Sequence, residues 1–239
     1  MNTVRSNKIR LVIVGATGMV GGYVLRYALE QPVVESVTAI VRRSLGISHA
    51  KIREIQHRNF ADCSALAEVL SGQDVAVFCL GAYTGTVSDT QLREVTIDYP
   101  IEFARVLHLS SPNSAFSFLS GSGADQSGRS RMAFARYKGE AETALLETGF
   151  SHVYIFRPAY IYPVEPRKEP NLGYRVLRTV YPVFRTLFPN QVIPADDLAR
   201  AMVEVVLSQN EQGPVFDNRQ IRTMIGSIRG TPTVAKGRT

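Results

Sequence analysis

Apolar and polar positions along the chain alternate between a strand-like and a helix-like period. Ile9 to Val14 (IRLVIV) is a short, nearly continuous apolar run, as expected of a parallel strand covered on both faces. Val20, Val24, Tyr27 and Ala28 then recur at helical spacing until Pro32. The same reading predicts strands over 36–41, 52–57, 74–80, 115–119 and 153–156. It predicts helices over 64–70, 91–109, 131–147 and 196–207. Pro100 lies inside the 91–109 pattern and predicts a kink or a break there. Residues 81–89, rich in Gly and Thr, read as a loop. No internal repeat is visible, and strands separated by helices predict an α/β fold: a doubly wound, mostly parallel Rossmann-type sheet.

After Arg157 the pattern changes. Pro158, Pro163, Pro166 and Pro170 mark an irregular stretch, followed by an aromatic-rich basic helix predicted over 173–188. Its apolar residues include Tyr174, Tyr181, Phe184 and Phe188, interrupted by Arg175, Arg178 and Arg185. The plainer reading packs this helix on the sheet, with roofing of an apolar pocket as the alternative. We take 158–195 as a small cap within one domain spanning 1–239, with a return strand near 214–216 and a basic tail over 218–239.

Composition narrows the class. Apolar residues make up 45% of the 239 residues and charged residues 20%, which excludes a disordered or collagen-like chain. No apolar run approaches the ~20 residues of a membrane-spanning helix, and the N-terminus carries no apolar signal core. Cys63 and Cys79 stand without metal-ligand partners at useful spacing, so a reducing cytoplasm is the expected location. His49, His57, His108 and His152 are dispersed, and no metal site is expected. The net charge of +6 is concentrated at the end: Arg219, Arg222, Arg229, Lys236 and Arg238 have no acid among them, leaving about +1 for the rest. These spread charges read as a solvated tail, and no specific nucleic-acid partner is expected.

One turn carries specific chemistry. Gly15-Ala16-Thr17-Gly18-Met19-Val20-Gly21 sits directly between the first strand and the first helix. There, glycines let the backbone approach a pyrophosphate, and free N–H groups at the helix start face it. At the end of the second strand, an acid would hold the 2′-hydroxyl of NAD. Here the chain reads Val41-Arg42-Arg43, and two guanidiniums suit the extra phosphate of NADP(H). NADP(H) is the expected cofactor, ahead of NAD(H).

With these residues in view, the chain resembles the atypical short-chain dehydrogenase/reductase superfamily, and within it the branch of the Tat-interactive-protein-type oxidoreductases. The matching segments are GATGMVG (15–21), VTAIVRR (37–43), CLG (79–81), TIDYP (96–100), LSGSGAD (119–125), KGEAE (138–142), FRPAYIY (156–162) and DDLARAM (196–202). The resemblance implies NAD(P) binding, with the nicotinamide near Ser120, Lys138 and the segment after Arg157. It implies that Asp62 contacts the adenine amine, Leu80–Gly81 pass beneath the adenine ribose, and Lys138 holds the nicotinamide ribose. Pro158, Ala159 and Tyr160 line the carboxamide side.

The family's acid is a tyrosine four residues before the lysine, on the same helix face. Phe134 occupies that position and has no hydroxyl. Tyr137 is one residue from Lys138, ~100° around a helix, and should point elsewhere. A single serine, Ser120, with Ser122 beyond, stands where the family has a pair. Three alternatives follow. Tyr83, Tyr160 or Tyr162 supplies a displaced phenol; a quinone-like acceptor dispenses with a positioned acid; or the chain senses NADP(H) without turnover and reports to a protein partner. The sequence reading is thus an NADP(H)-binding oxidoreductase-like protein acting on a carbonyl or quinone-like small molecule, with Ser120, Lys138 and Tyr160 as the candidate catalytic residues.

Overall fold

The computed structural model describes residues 8–82, 85–165, 181, 185–208 and 213–230. The first strand, β1 (Ile9–Val14), feeds α1 (Met19–Glu30), and β2 (Val34–Val41) and β3 (Ile52–Gln56) follow. A short helical turn with α2 (Ala67–Leu70) precedes β4 (Val75–Phe78). Next come α3 (Asp89–Arg93), α4 (Tyr99–Ser110), β5 (Ala115–Leu119), α5 (Ala133–Leu146) and β6 (His152–Arg157). The remainder comprises β7 (Tyr160–Tyr162), β8 (Val192–Pro194), α6 (Ala195–Leu207), β9 (Val215–Asp217) and α7 (Asn218–Gly230).

The main sheet runs β3-β2-β1-β4-β5-β6-β9, and every pairing is parallel. The chain winds outward from β1 to β3, then crosses back to β4 on the other side of β1. The carboxyl ends of β1 and β4 therefore frame the crevice where ligands of such sheets bind. Both faces are covered because side chains along a strand alternate sides. Leu11 and Ile13 belong to one core with α1, α6 and α7; Val12 and Val14 belong to the other, with α2, α4 and α5. In the second core Phe78 lies 5.6 Å from Phe103 and 6.2 Å from Phe118, ring centre to ring centre. Each such fully buried ring contributes about 1.5–3 kcal/mol.

The structure meets the expected break in one place, adds strands within the cap in another, and departs from the expectation in a third. The 91–109 pattern is broken: α3 gives way to a π turn over Glu94–Asp98, and Pro100 opens α4, where its missing N–H costs nothing. A capping box starts α3, with Ser88 Oγ accepting from Gln91 N at 3.2 Å. The predicted 173–188 helix, including Tyr174 and Phe184, lies mostly outside the described residues. Within the cap the described residues add β7 and β8, paired parallel as a small second sheet. Finally, the first thirteen residues of the basic segment form α7 rather than a solvated tail. Ile221 and Ile225 are buried in the first core, and Met224 and Ile228 pack against it.

Candidate functional site

At the carboxyl edge of the sheet two clusters form, one around the β1–β4 crevice and one where β5, α5 and β6 meet. The first is built from backbone. Gly15 takes a left-handed φ of +91°, and a Cβ there would stand 2.8 Å from the carbonyl carbon of Cys79. Gly18 N donates to Gly15 O at 2.9 Å and closes the turn. Beneath it, a Cβ on Gly21 would lie 2.1 Å from Gly15 O, so only glycine lets α1 pack this close. Gly18 is the N-cap of α1. No side chain caps it, and the first turn holds no acid. The leading N–H groups and the positive end of a twelve-residue helix are thus left for an anion.

Thr17 and Gly18 are exposed at this turn, Met19 is half-buried, and Val20 and Gly21 are buried beneath it. Across the crevice, Leu80 is half-buried and Gly81 exposed, and a Cβ on Gly81 would meet nothing within 4 Å. The space beside Gly81, across from the turn, is therefore open. Arg42 and Arg43 stand exposed just past β2, with no ion-pair partner among the described residues. Asp62, beyond β3, is exposed and accepts from Ser64 N at 2.9 Å; its hydrogen bonds to Ser64 hold the carboxyl below the usual range.

The second cluster centres on a carboxylate that the sequence reading passed over. Glu142 is 0% exposed. Arg157, at the end of β6, donates from Nε to Glu142 Oε1 at 2.9 Å and from its terminal nitrogen to Oε2. Ser120 Oγ donates to Oε1 at 2.5 Å, and Gln126 Nε2 donates to Oε2 at 2.9 Å. The signal was available: Glu142 is four residues past Lys138, hence on the same inward face of α5. The consequence for Ser120 is direct, because its proton is already committed to Glu142.

Lys138 is also buried, at 6% exposure. Its Nζ donates to Leu119 O at 3.0 Å and lies 4.9 Å from the Phe118 ring centre. Burial pulls the ammonium down to about 8, against the opposing pull of Glu142. Phe134 is half-buried one turn earlier, against Gly121: a Cβ on Gly121 would stand 2.9 Å from Phe134 Cζ. Tyr137 turns away, its hydroxyl donating to Asp89 Oδ2 at 2.8 Å at the start of α3.

Pro158 is buried and Tyr160 half-buried at the start of β7, and Tyr162 stacks on Tyr181 with ring centres 3.6 Å apart. Tyr83 lies outside the described residues. Buried Asn218, which the sequence reading also missed, ties this corner together. It accepts from Ala159 N at 3.0 Å and donates to Asn190 O and Val192 O at 2.9 and 3.1 Å. Among the described residues no cluster of His, Cys, Asp and Glu could hold a metal ion, and none of their helices is long and apolar enough to cross a membrane.

A crevice at the strand-order reversal, a glycine turn and an uncapped helix start define a dinucleotide-binding protein of the Rossmann type. The family model described as NAD(P)H-binding matches residues 15–209, and the chain belongs to that family. It is similar to HTATIP2 of Rattus norvegicus, at 26% identity over 213 residues, covering 87% of this chain and 86% of that one. It is also similar to the mitochondrial protein FMP52 of Candida albicans, at 29% over 175 residues, covering 70% and 73%. Among solved structures, WbmG of Bordetella bronchiseptica in complex with NAD superimposes with a TM-score of 0.64 at 15% identity, over 98% of this chain and 84% of that one. Gre2 of Candida albicans in complex with NADPH gives 0.67 at 14%, over 87% and 78%. The fold is that of an NAD(P)-binding, oxidoreductase-like protein of the atypical short-chain dehydrogenase/reductase type.

Proposed function

We propose that this protein binds NADP(H) and passes its hydride to a quinone-like or carbonyl small molecule. The observation that carries the cofactor half is the pairing of an uncapped α1 start with two exposed guanidiniums, Arg42 and Arg43, that have no ion-pair partner among the described residues. The turn suits the pyrophosphate, and the arginines suit a further phosphate on the adenine ribose. Gly15, Thr17, Gly18 and Met19 are the proposed pyrophosphate contacts, with Val20 and Gly21 as their support. Asp62, Leu80 and Gly81 serve the adenosine, and Lys138, Pro158 and Tyr160 the nicotinamide side.

The acceptor follows from the proton inventory. Phe134 has none to give, and Ser120 donates to Glu142. A simple ketone needs a positioned acid as hydride arrives; a quinone leaves a stabilised hydroquinone anion that solvent can protonate. We therefore favour a quinone-like acceptor, with Lys138 holding the ribose, and with the Tyr160 phenol or the Lys138 ammonium as the acid should a carbonyl be used. The same inventory supports a second reading, an NADP(H)-responsive regulatory protein that turns nothing over. Two thiols without a bridge support a cytoplasmic location for either, and the mitochondrial location in the FMP52 name belongs to that protein.

The test is NADPH consumption against panels of quinones and of aldehydes and ketones, for the wild type and Phe134→Tyr. Turnover of quinones by the wild type is the expected result. Saturable NADPH binding with no turnover on either panel would favour the regulator, and ketone reduction appearing only in Phe134→Tyr would show that the natural chain lacks a carbonyl acid.

A further inference from the structure

Away from the dinucleotide crevice, Tyr181, Arg185, β8 and α7 line an open cleft of about 170 Å³. That is many times the roughly 10–15 Å³ that admits one water, so the space suits a small polyatomic ligand. Val192 and Ile193 of β8 and Ile225 of α7 give it an apolar floor. Arg222, Gly226 and Arg229, spaced by four and three residues, lie along one face of α7 and form a wall.

Gly226 is the informative position. Its φ is not left-handed, and a Cβ there would meet nothing within 4 Å, so neither backbone nor packing requires glycine. Inside a helix it costs about 1 kcal/mol relative to alanine. What its missing side chain does is keep the cleft open.

The charges around that space are unbalanced. Arg185, Arg222 and Arg229 line it together with one acid, Asp197. Arg229 is spent on that acid, donating to Asp197 Oδ1 at 2.5 Å. Arg222 caps the carbonyl of Pro189, and neither Arg222 nor Arg185 has a carboxylate within ion-pair distance among the described residues. Three guanidiniums against one carboxylate give the lining a net positive charge, with Arg185 held by a hydrogen bond to Tyr181 and Arg222 by one to Pro189 O. A phosphate monoester carries about −1.5 to −2 at neutral pH and accepts the paired N–H bonds a guanidinium offers.

We propose that this cleft binds a small phosphorylated molecule, its phosphate held by Arg185 and Arg222 and its short carbon body on Val192, Ile193 and Ile225. β8 pairs with β7, which carries Tyr160, so the ligand sits one strand from the proposed nicotinamide side. The inference does not depend on turnover, because it concerns binding alone.

The experiment is calorimetric titration of the full chain with inorganic phosphate and with glycerol 3-phosphate at constant ionic strength. The variants are Arg185→Gln/Arg222→Gln, Gly226→Leu and Gly18→Val. We expect saturable binding that Gly18→Val leaves intact and that the arginine pair and Gly226→Leu each weaken by about tenfold or more. Gly226→Leu guards against a folding artefact in the arginine pair, since leucine favours the helix and meets no atom of the fold at its Cβ. Absence of saturable binding at millimolar phosphate would overturn the proposal. So would loss of binding in Gly18→Val alone, which would put the anion on the dinucleotide turn, or indifference of binding to Gly226→Leu, which would put it outside the cleft.

Discussion

Arg157 closes on Glu142 where β6 ends beside α5, one guanidinium edge meeting a carboxylate that has no exposure to water. A lone charge at this depth is costly, and the pair persists because Ser120 and Gln126 fill the remaining acceptor sites. Arg157→Met should therefore destabilise the protein by about 3–5 kcal/mol, since it strands a buried anion. The double variant Arg157→Met/Glu142→Leu should recover part of that loss. Urea unfolding of the two would measure it; a double variant no more stable than the single one would show that Glu142 is not the stranded group.

The glycines of the turn should separate binding from folding. In Gly18→Val the Cβ nears only Gly15 O, at 3.1 Å, while its branches enter the space proposed for the pyrophosphate. NADPH affinity should fall by about tenfold or more with a small change in thermal midpoint. Gly21→Ala drives a Cβ to 2.1 Å from Gly15 O and should cost folding stability as well. Equal effects of both on the thermal midpoint would remove the distinction.

Arg42→Ala should discriminate the two cofactors. A charge-assisted hydrogen bond to a 2′-phosphate is worth about 1.5–3 kcal/mol, so NADPH binding should weaken by roughly ten- to a hundredfold while NADH binding stays nearly constant. Fluorescence titration with each reduced cofactor reads the ratio directly. Parallel losses would argue against a phosphate at this corner.

Lys138 links stability to pH with a definite sign. Burial lowers its folded-state value from 10.5 to about 8, so between those limits the unfolded chain binds more protons than the native one. Stability contributed by this site must therefore rise as pH climbs from about 8 toward 10.5, and the burial cost is present in full below 8. That span corresponds to roughly 3 kcal/mol. The stability of the wild type relative to Lys138→Met should accordingly improve between pH 7 and 9.5 in the apo protein, and a flat difference would contradict the depressed value.

Much of the fold was legible because local signals agreed. The run Ile9–Val14 is continuous in apolar residues because its two faces feed two different cores, and the GATGMVG turn fell between a strand and a helix that both formed. Pro100 marked the break before α4 correctly, since its ring tolerates only the first helical turn. The helix α7 was missed although Ile221, Met224, Ile225 and Ile228 carry its period; the surrounding arginines drew attention to charge instead of spacing. Ser120 shows the limit at the site. Its position along the chain marks a hydroxyl at the end of β5, but only three-dimensional contact reveals that it donates its hydrogen bond to a glutamate from the next helix. The cleft beside α7 depends on residues from the cap, β8 and α7 meeting, and no single segment announces it.

One contact governs how the site can change. Gly139 lies so near the 125 carbonyl that an added methyl carbon would stand 2.0 Å from its oxygen. The helix is thereby moored to the neighbouring loop and cannot slide to accommodate new side chains. Position 134 keeps a set height above the sheet, so evolution or engineering can swap its chemistry without resetting its aim.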